Sequence, residues 1–226
     1  MRRLIFPILL GLAGCGVLIS LGMWQVQRLD WKRDILDRIE ERISAAPVEL
    51  PDAPTEEDFE YRTVWVTGQL DGPELHVLVS GTAAGTGYRV IRAFVTEDGR
   101  RIMIDEGLLP LESKDQPAPD ASAPIEIVGH MLWPDDASES SPAPDLGRNI
   151  WFARDLPAMA AALSTEPVLI VLAEVSQADP RLTPLPVDTS GIKNDHREYA
   201  ITWFGLAIVW AAMSLYLIFR TIRRED

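Results

Sequence analysis

The residues of this 226-residue chain best placed to do chemistry gather near its C-terminal end, in Asp195-His196-Arg197-Glu198-Tyr199. His196 stands just before an uncharged run that opens Tyr199-Ala200-Ile201-Thr202-Trp203-Phe204. If a helix starts near Asp195, then His196, Tyr199 and Trp203 project from one face at i, i+3 and i+7. A neutral imidazole in an aromatic, partly apolar setting is a suitable axial ligand for haem iron, and Arg197, Arg28 or Lys32 can meet the propionates of such a group. The same residue types have a plainer explanation. Trp and Tyr gather at any membrane interface, and a histidine there can simply be hydrated. The residues alone leave both readings open.

Elsewhere the catalytic inventory is thin. There is no HExxH, CxxC or Gly-x-Ser-x-Gly motif, one cysteine and three histidines in all. His76 and His130 each fall in a run that reads as a strand, where a hydrogen-bonded structural histidine is the default. Glu56-Glu57-Asp58, Asp115 and Asp135-Asp136 fall in linkers, where solvated charge explains them. Gly85-Thr86-Gly87-Tyr88 lacks the third glycine and the following helix of a phosphate cradle, and reads as a turn. An exported, membrane-anchored enzyme is therefore the least supported of the functional classes.

The elements that must position His196 follow from two uncharged blocks, 4–27 and 199–219, of 24 and 21 residues. Each is long enough to cross a hydrocarbon core of about 30 Å at roughly 1.5 Å per residue. Together they exclude a purely soluble protein, a polytopic transporter and a multidomain enzyme. The net charge of −13 argues against a nucleic-acid binder. The flanks 1–3 and 220–226 carry +2 and +1, which leaves −16 for the segment 28–198 between the blocks. Arginine-bearing short flanks stay on the cytoplasmic side, so the reading is a two-pass protein with both termini cytoplasmic. The large domain is then periplasmic in the plasma membrane of a bacterium. Arg28, Lys32 and Arg33 oppose that orientation, but long domains are translocated largely regardless of charge. Cys15 cannot form an intramolecular disulfide. The lipobox-like Leu12-Ala13-Gly14-Cys15 is read as a decoy because the sequence beyond it stays apolar.

Between the blocks, Asp30 to Ala46 places Trp31, Ile35, Leu36, Ile39 and Ile43 at spacings of three and four, which predicts an amphipathic helix. A linker with Pro47, Pro51 and Pro54 runs through Asp58. Two strands, Tyr61–Leu70 and Leu75–Ser80, flank a turn at Asp71-Gly72-Pro73, with a loop from Gly81 to Gly87. Tyr88–Thr96 and Arg101–Leu109 flank Glu97-Asp98-Gly99-Arg100 as a hairpin. Loops are expected over 113–124 and 134–144, and strands over Ile125–Trp133 and Pro167–Val175. A short strand-like entry at Ile150 leads to a brief helix from Asp155, and 180–194 is an irregular return to the membrane. The expected fold is α+β: two transmembrane helices flanking an exported, antiparallel β-rich domain with short helices, about six strands, closed or sandwich-like.

The stretch Leu21-Gly22-Met23-Trp24-Gln25-Val26-Gln27-Arg28-Leu29-Asp30-Trp31-Lys32 resembles the N-terminal signature of the Surf1/Shy1 family of cytochrome oxidase assembly factors. So does Asn194-Asp195-His196-Arg197-Glu198-Tyr199-Ala200-Ile201-Thr202-Trp203-Phe204-Gly205-Leu206-Ala207 at the other end. Between them Tyr61-Arg62-Thr63-Val64 with Gly68, Gly87-Tyr88-Arg89-Val90 and Trp151-Phe152-Ala153-Arg154-Asp155-Leu156 match further family elements in order. The resemblance implies a non-enzymatic factor in the maturation of haem–copper oxidases. It would bind haem a transiently, in partnership with haem A synthase and the oxidase catalytic subunit I, in a lipid bilayer. It implies that His196 is the haem ligand and that Trp24 and Gln25, at the same membrane depth, line its pocket. Two departures stand out. Glu106-Gly107-Leu108-Leu109 replaces the Arg-Gly-Trp of many members, and the second motif begins Asn-Asp-His. A protein scaffold or accessory subunit without haem is the alternative reading.

Overall fold

The computed structural model describes residues 2–82, 84–119, 123–189 and 192–223. Arg224, Glu225 and Asp226 of the expected C-terminal flank, Met1, and parts of the loops expected over 81–87, 113–124 and 180–194 lie outside the described residues. The chain divides into two units, Met1–Arg38 with Thr189–Asp226, and Ile39–Asp188.

The first unit is built on two helices, α1 (Arg2–Ser44) and α4 (His196–Ile222), both long and apolar enough to cross a membrane. Their apolar stretches are almost wholly exposed, unlike the core helix of a soluble domain. The two meet along a seam of small residues. A Cβ at Gly14 would lie 2.1 Å from Trp210 Nε1, and one at Gly22 would lie 2.7 Å from Phe204. Ala200 and Ala207 are the buried residues of α4. Glycine and alanine let two backbones approach where no hydrophobic force drives helices together in lipid. Trp210 Nε1 donates to the Gly11 carbonyl at 3.2 Å, so the indole proton is satisfied across the seam. The stretch from Asp30, expected as an amphipathic helix, is helical through Ser44 as a continuation of α1. No proline, glycine or cap interrupts 23–44, and Pro47 ends the helix by restricting the residue before it.

The second unit is a closed sheet. Its strands are β1 (Val48–Glu49), β2 (Thr63–Thr82), β3 (Gly85–Thr96), β4 (Arg101–Pro110), β5 (Ile125–Met131) and β6 (Leu169–Val175). The order is β1-β2-β3-β4-β6-β5, and β5 also pairs with β2, which closes a five-stranded barrel. Most pairings are antiparallel, whereas β1/β2 and β4/β6 are parallel. The two strands expected on either side of Asp71-Gly72-Pro73 are one strand, and the turn signal is used as an irregularity within β2. Thr63–Gly68 pairs with β5, and both Gly68–Asp71 before the irregularity and Glu74–Val79 beyond it pair with β3. Asp-Gly-Pro is thus a bulge within the β2/β3 ladder, which resumes with the same partner beyond it. The loop expected over 81–87 is likewise mostly strand, since Thr82 pairs with Gly85. The hairpin at Glu97–Arg100 is as expected, with Gly99 at φ 87.

Two short helices complete the unit. α2 (Glu56–Phe59), inside the stretch expected as linker, is started by Thr55, whose hydroxyl accepts from Asp58 N–H. In α3 (Leu156–Leu163) the Asp155 carboxylate accepts from Ala158 N–H at 3.1 Å, Pro157 occupies the first turn and Ser164 ends the helix in a left-handed conformation. Alternation along the strands divides the core. Val64, Phe94, Ile102, Ile104, Ile127 and Ile170 fill the barrel, while Val77, Ile91, Ala93, Met103 and Leu169 face Trp151, Met159 and Leu163 under α3.

Candidate functional site

His196 is the first residue of α4 and is half-buried. Asn194 and Asp195 before it are residues that favour helix starts, so the chain enters the helix at the expected place. The ring Nδ1 lies 2.7 Å from Oε1 of Gln25 on α1, 171 positions earlier in the chain. Gln25 is only 8% exposed, which holds the amide where water does not replace it. Lys32 Nζ donates to the Lys193 carbonyl, a second tie between α1 and the residues that lead into α4. The Asn194 side-chain oxygen beside His196 is buried without a hydrogen-bond partner among the described residues.

The remaining sequence candidates are arranged around this pair rather than in it. Trp24, one residue and about 100° round the helix from Gln25, is 54% exposed and faces away from the seam. Arg28 is exposed, with its guanidinium carbon 3.9 Å from the Trp31 ring centroid. Arg197 is exposed, Tyr199 is 56% exposed and Trp203 is half-buried. The geometry therefore joins His196 and Gln25, and leaves Trp24, Arg28, Arg197 and Tyr199 on the outer surface of the helices.

A comparison with known proteins decides what kind of chain this is. The SURF1 family profile matches residues 12–208. This chain belongs to the SURF1 family. Surfeit locus protein 1 of Xenopus tropicalis is 32% identical over 214 residues, which is 83% of this chain and 67% of the relative. Surfeit locus protein 1 of Homo sapiens is 29% identical over 227 residues, 91% of this chain and 74% of the relative. The SURF1-like protein of Rickettsia bellii is 28% identical over 220 residues, 92% of this chain and 87% of the relative. SURF1 membership carries the role of an oxidase assembly factor.

Sequence reasoning overlooked a cluster of charges in the barrel unit of this SURF1 chain. Glu74 is its hub: it meets His76 Nε2 and Arg92 Nη2 at 3.0 Å each, and Arg181 Nη2 at 2.5 Å. Arg181 also binds Asp179 at 2.6 Å, and every one of these side chains is 10% exposed or less. Burial alone would raise the Glu74 carboxyl, but hydrogen bonds from His76 and Arg181 and the charges of Arg181 and Arg92 outweigh it and hold it down to about 2. Glu106 stands apart. Its Oε1 is 3.6 Å from Arg92 Nε and makes no hydrogen bond among the described residues. Burial pushes its carboxyl up to about 7, against the pull of Arg92. Arg89 and Asp105 form a further buried pair at 2.9 Å. The signal was present: Arg89, Arg92, Asp105 and Glu106 interrupt runs read as strands with little polar alternation. What it lacked was Arg181, 107 residues from Glu74. Of the two histidines expected in strands, both lie in them and are buried, His76 on Glu74 and His130 in reach of the Ile43 backbone.

Proposed function

We propose that this chain holds haem a through His196 at the outer end of the two apolar helices and passes it from haem A synthase to the catalytic subunit I of a haem–copper oxidase. One observation supports the reading above the others: His196, in the first turn of α4, has one ring nitrogen held by a buried neutral partner and makes no hydrogen bond through the other among the described residues. Among the described residues no group of three or more His, Cys, Asp or Glu side chains forms a metal cage. A porphyrin supplies four iron ligands itself, so a single imidazole from the protein suffices for it, where a bare ion would need several. Exposed Arg28 and Arg197 suit carboxylates at the same depth, and Trp24, Tyr199 and Trp203 give the apolar, aromatic surroundings a macrocycle needs.

The chain's own work is then holding and release, without bond-making chemistry. The N-terminus and the C-terminus lie in the cytoplasm, and the acidic domain lies in the periplasm of a bacterium, where it docks on the partner proteins through its charge. The test is a visible spectrum and pyridine haemochrome assay on detergent-purified protein co-expressed with haem A synthesis. Wild type should carry haem a, and His196→Ala should lose it or show an altered spectrum. Normal haem content in the variant would refute the ligand assignment. A specific observation keeps a second reading alive: the domain Ile39–Asp188, most of the chain, contains none of the candidate haem residues. Colourless wild-type protein that still captures subunit I would establish a scaffold for an oxidase intermediate.

A further inference from the structure

The contact between His196 and Gln25 settles more than the position of a ring. A neutral imidazole carries one proton, on one nitrogen or the other, and only the bare nitrogen can bind a metal. A carboxamide oxygen accepts and cannot donate. A hydrogen bond between Gln25 Oε1 and Nδ1, which stand 2.7 Å apart, needs the proton on Nδ1, and that leaves the lone pair of a neutral ring on Nε2. An isolated imidazole has no such constraint, so the arrangement depends on Gln25 keeping its place. It is well kept: Gln25 is buried, and Gly22, one turn earlier on α1, is in close approach to Phe204 of α4.

We propose that Gln25 is the positioning residue of the site, locking His196 in the tautomer protonated on Nδ1 so that Nε2 is the metal-binding nitrogen. It acts through His196 and does not itself touch the cargo, unlike the pocket-lining role that the family resemblance implies. The proposal rests on the haem reading for the identity of the metal group alone, because the tautomer is a property of the free protein. Histidine ligands are oriented in this way by an acceptor on their second nitrogen, whose loss typically costs about 10–100-fold in affinity.

The decisive experiment records the nitrogen-15 NMR spectrum of the haem-free full chain, labelled at histidine, in detergent micelles. His196→Ala assigns the His196 signals, and the unchanged signals of His76 and His130 report that each variant remains folded. Wild type should show the one-bond proton coupling on Nδ1 of His196. Gln25→Leu should shift that population to Nε2, whereas Gln25→Glu, which can only accept, should keep it on Nδ1. In protein loaded with haem a, Gln25→Leu should retain haem about 10–100-fold more weakly. Gln25→Glu should retain it at a lower midpoint potential, because an anionic acceptor makes the imidazole a stronger donor. A proton on Nε2 in wild type, or the same tautomer in wild type and Gln25→Leu, overturns the proposal. A lock observed in a protein that binds no haem leaves Gln25 in its role and sinks the haem reading; bound haem with no tautomer response does the reverse.

Discussion

The polar groups of the two units are treated in opposite ways. In the barrel, Glu74 takes donors from His76, Arg92 and Arg181, and Arg181 is shared with Asp179, so the buried charges are spent on one another. Between the helices, His196 has, among the described residues, a single neutral partner on one ring nitrogen and remains half-exposed. Buried polar groups that serve only the fold tend to saturate, because each unmet valence costs stability. A group that serves a ligand needs the reverse: one valence fixed, one left open. The saturation is incomplete: Glu106 Oε1, Arg92 Nε and His76 Nδ1 are buried without a hydrogen-bond partner among the described residues, and Glu106 is the member whose carboxyl burial pushes up to about 7.

The largest effect that separates the two regions is expected at the hub. Glu74→Ala removes the carboxylate shared by His76, Arg92 and Arg181, leaving Arg92 with Glu106 at 3.6 Å and Arg181 with Asp179, and should cost about 3–5 kcal/mol of domain stability, read as a lowered midpoint in chemical denaturation. His196→Ala should leave that midpoint unchanged, since it removes no core packing from the barrel. Equal losses in the two variants would collapse the comparison.

Next in size is a pH dependence with two opposed limbs. Glu106 titrates at about 7 when folded against an ordinary value of 4.5, so its contribution is complete below about pH 4.5 and is lost as pH rises through about 7. Glu74, held down to about 2, contributes above about pH 4.5 and loses that contribution as pH falls toward 2. These two groups alone make the domain most stable near pH 4.5. Glu106→Gln mimics the protonated side chain, so it should match wild type at pH 4.5 and exceed it at pH 8 by on the order of 1–3 kcal/mol. Parallel stability curves for the two proteins would show that Glu106 is ionised without penalty.

Much of this molecule was legible in one dimension, and the rest failed for identifiable reasons. The apolar spans, the hairpin at Glu97–Arg100, the start of α3 at Asp155 and the start of α4 at His196 are local signals, set by residues within a few positions of one another. Asp71-Gly72-Pro73 misled because the same dipeptides that reverse a chain also make a bulge in a strand; which occurs depends on β3 supplying partners both before and after it. In the site, the histidine could be nominated from its position at the mouth of a span. Its pairing with Gln25 across 171 residues could not, nor could the closure of Arg181 on Glu74. Contacts at such separations are decided by packing of whole elements, which no periodicity records.

The smallest effect expected is also the most selective. Arg197 is exposed and beside His196 in the first turn of α4, with no ion pair among the described residues, so on the proposed reading its guanidinium meets a carboxylate of the haem without shaping the ring's surroundings. Exposed ion pairs contribute little, so Arg197→Ala should weaken haem retention by a factor of about 5 or less. Its absorption spectrum should be that of wild type, because the nitrogen on the iron and the partner of Nδ1 are both intact. Salt should imitate the substitution in wild type and have little further effect in the variant, since screening removes the same interaction. A changed spectrum in Arg197→Ala would mean that the arginine helps set the ligand field, and the division between a held imidazole and a surface anion clamp would have to be redrawn.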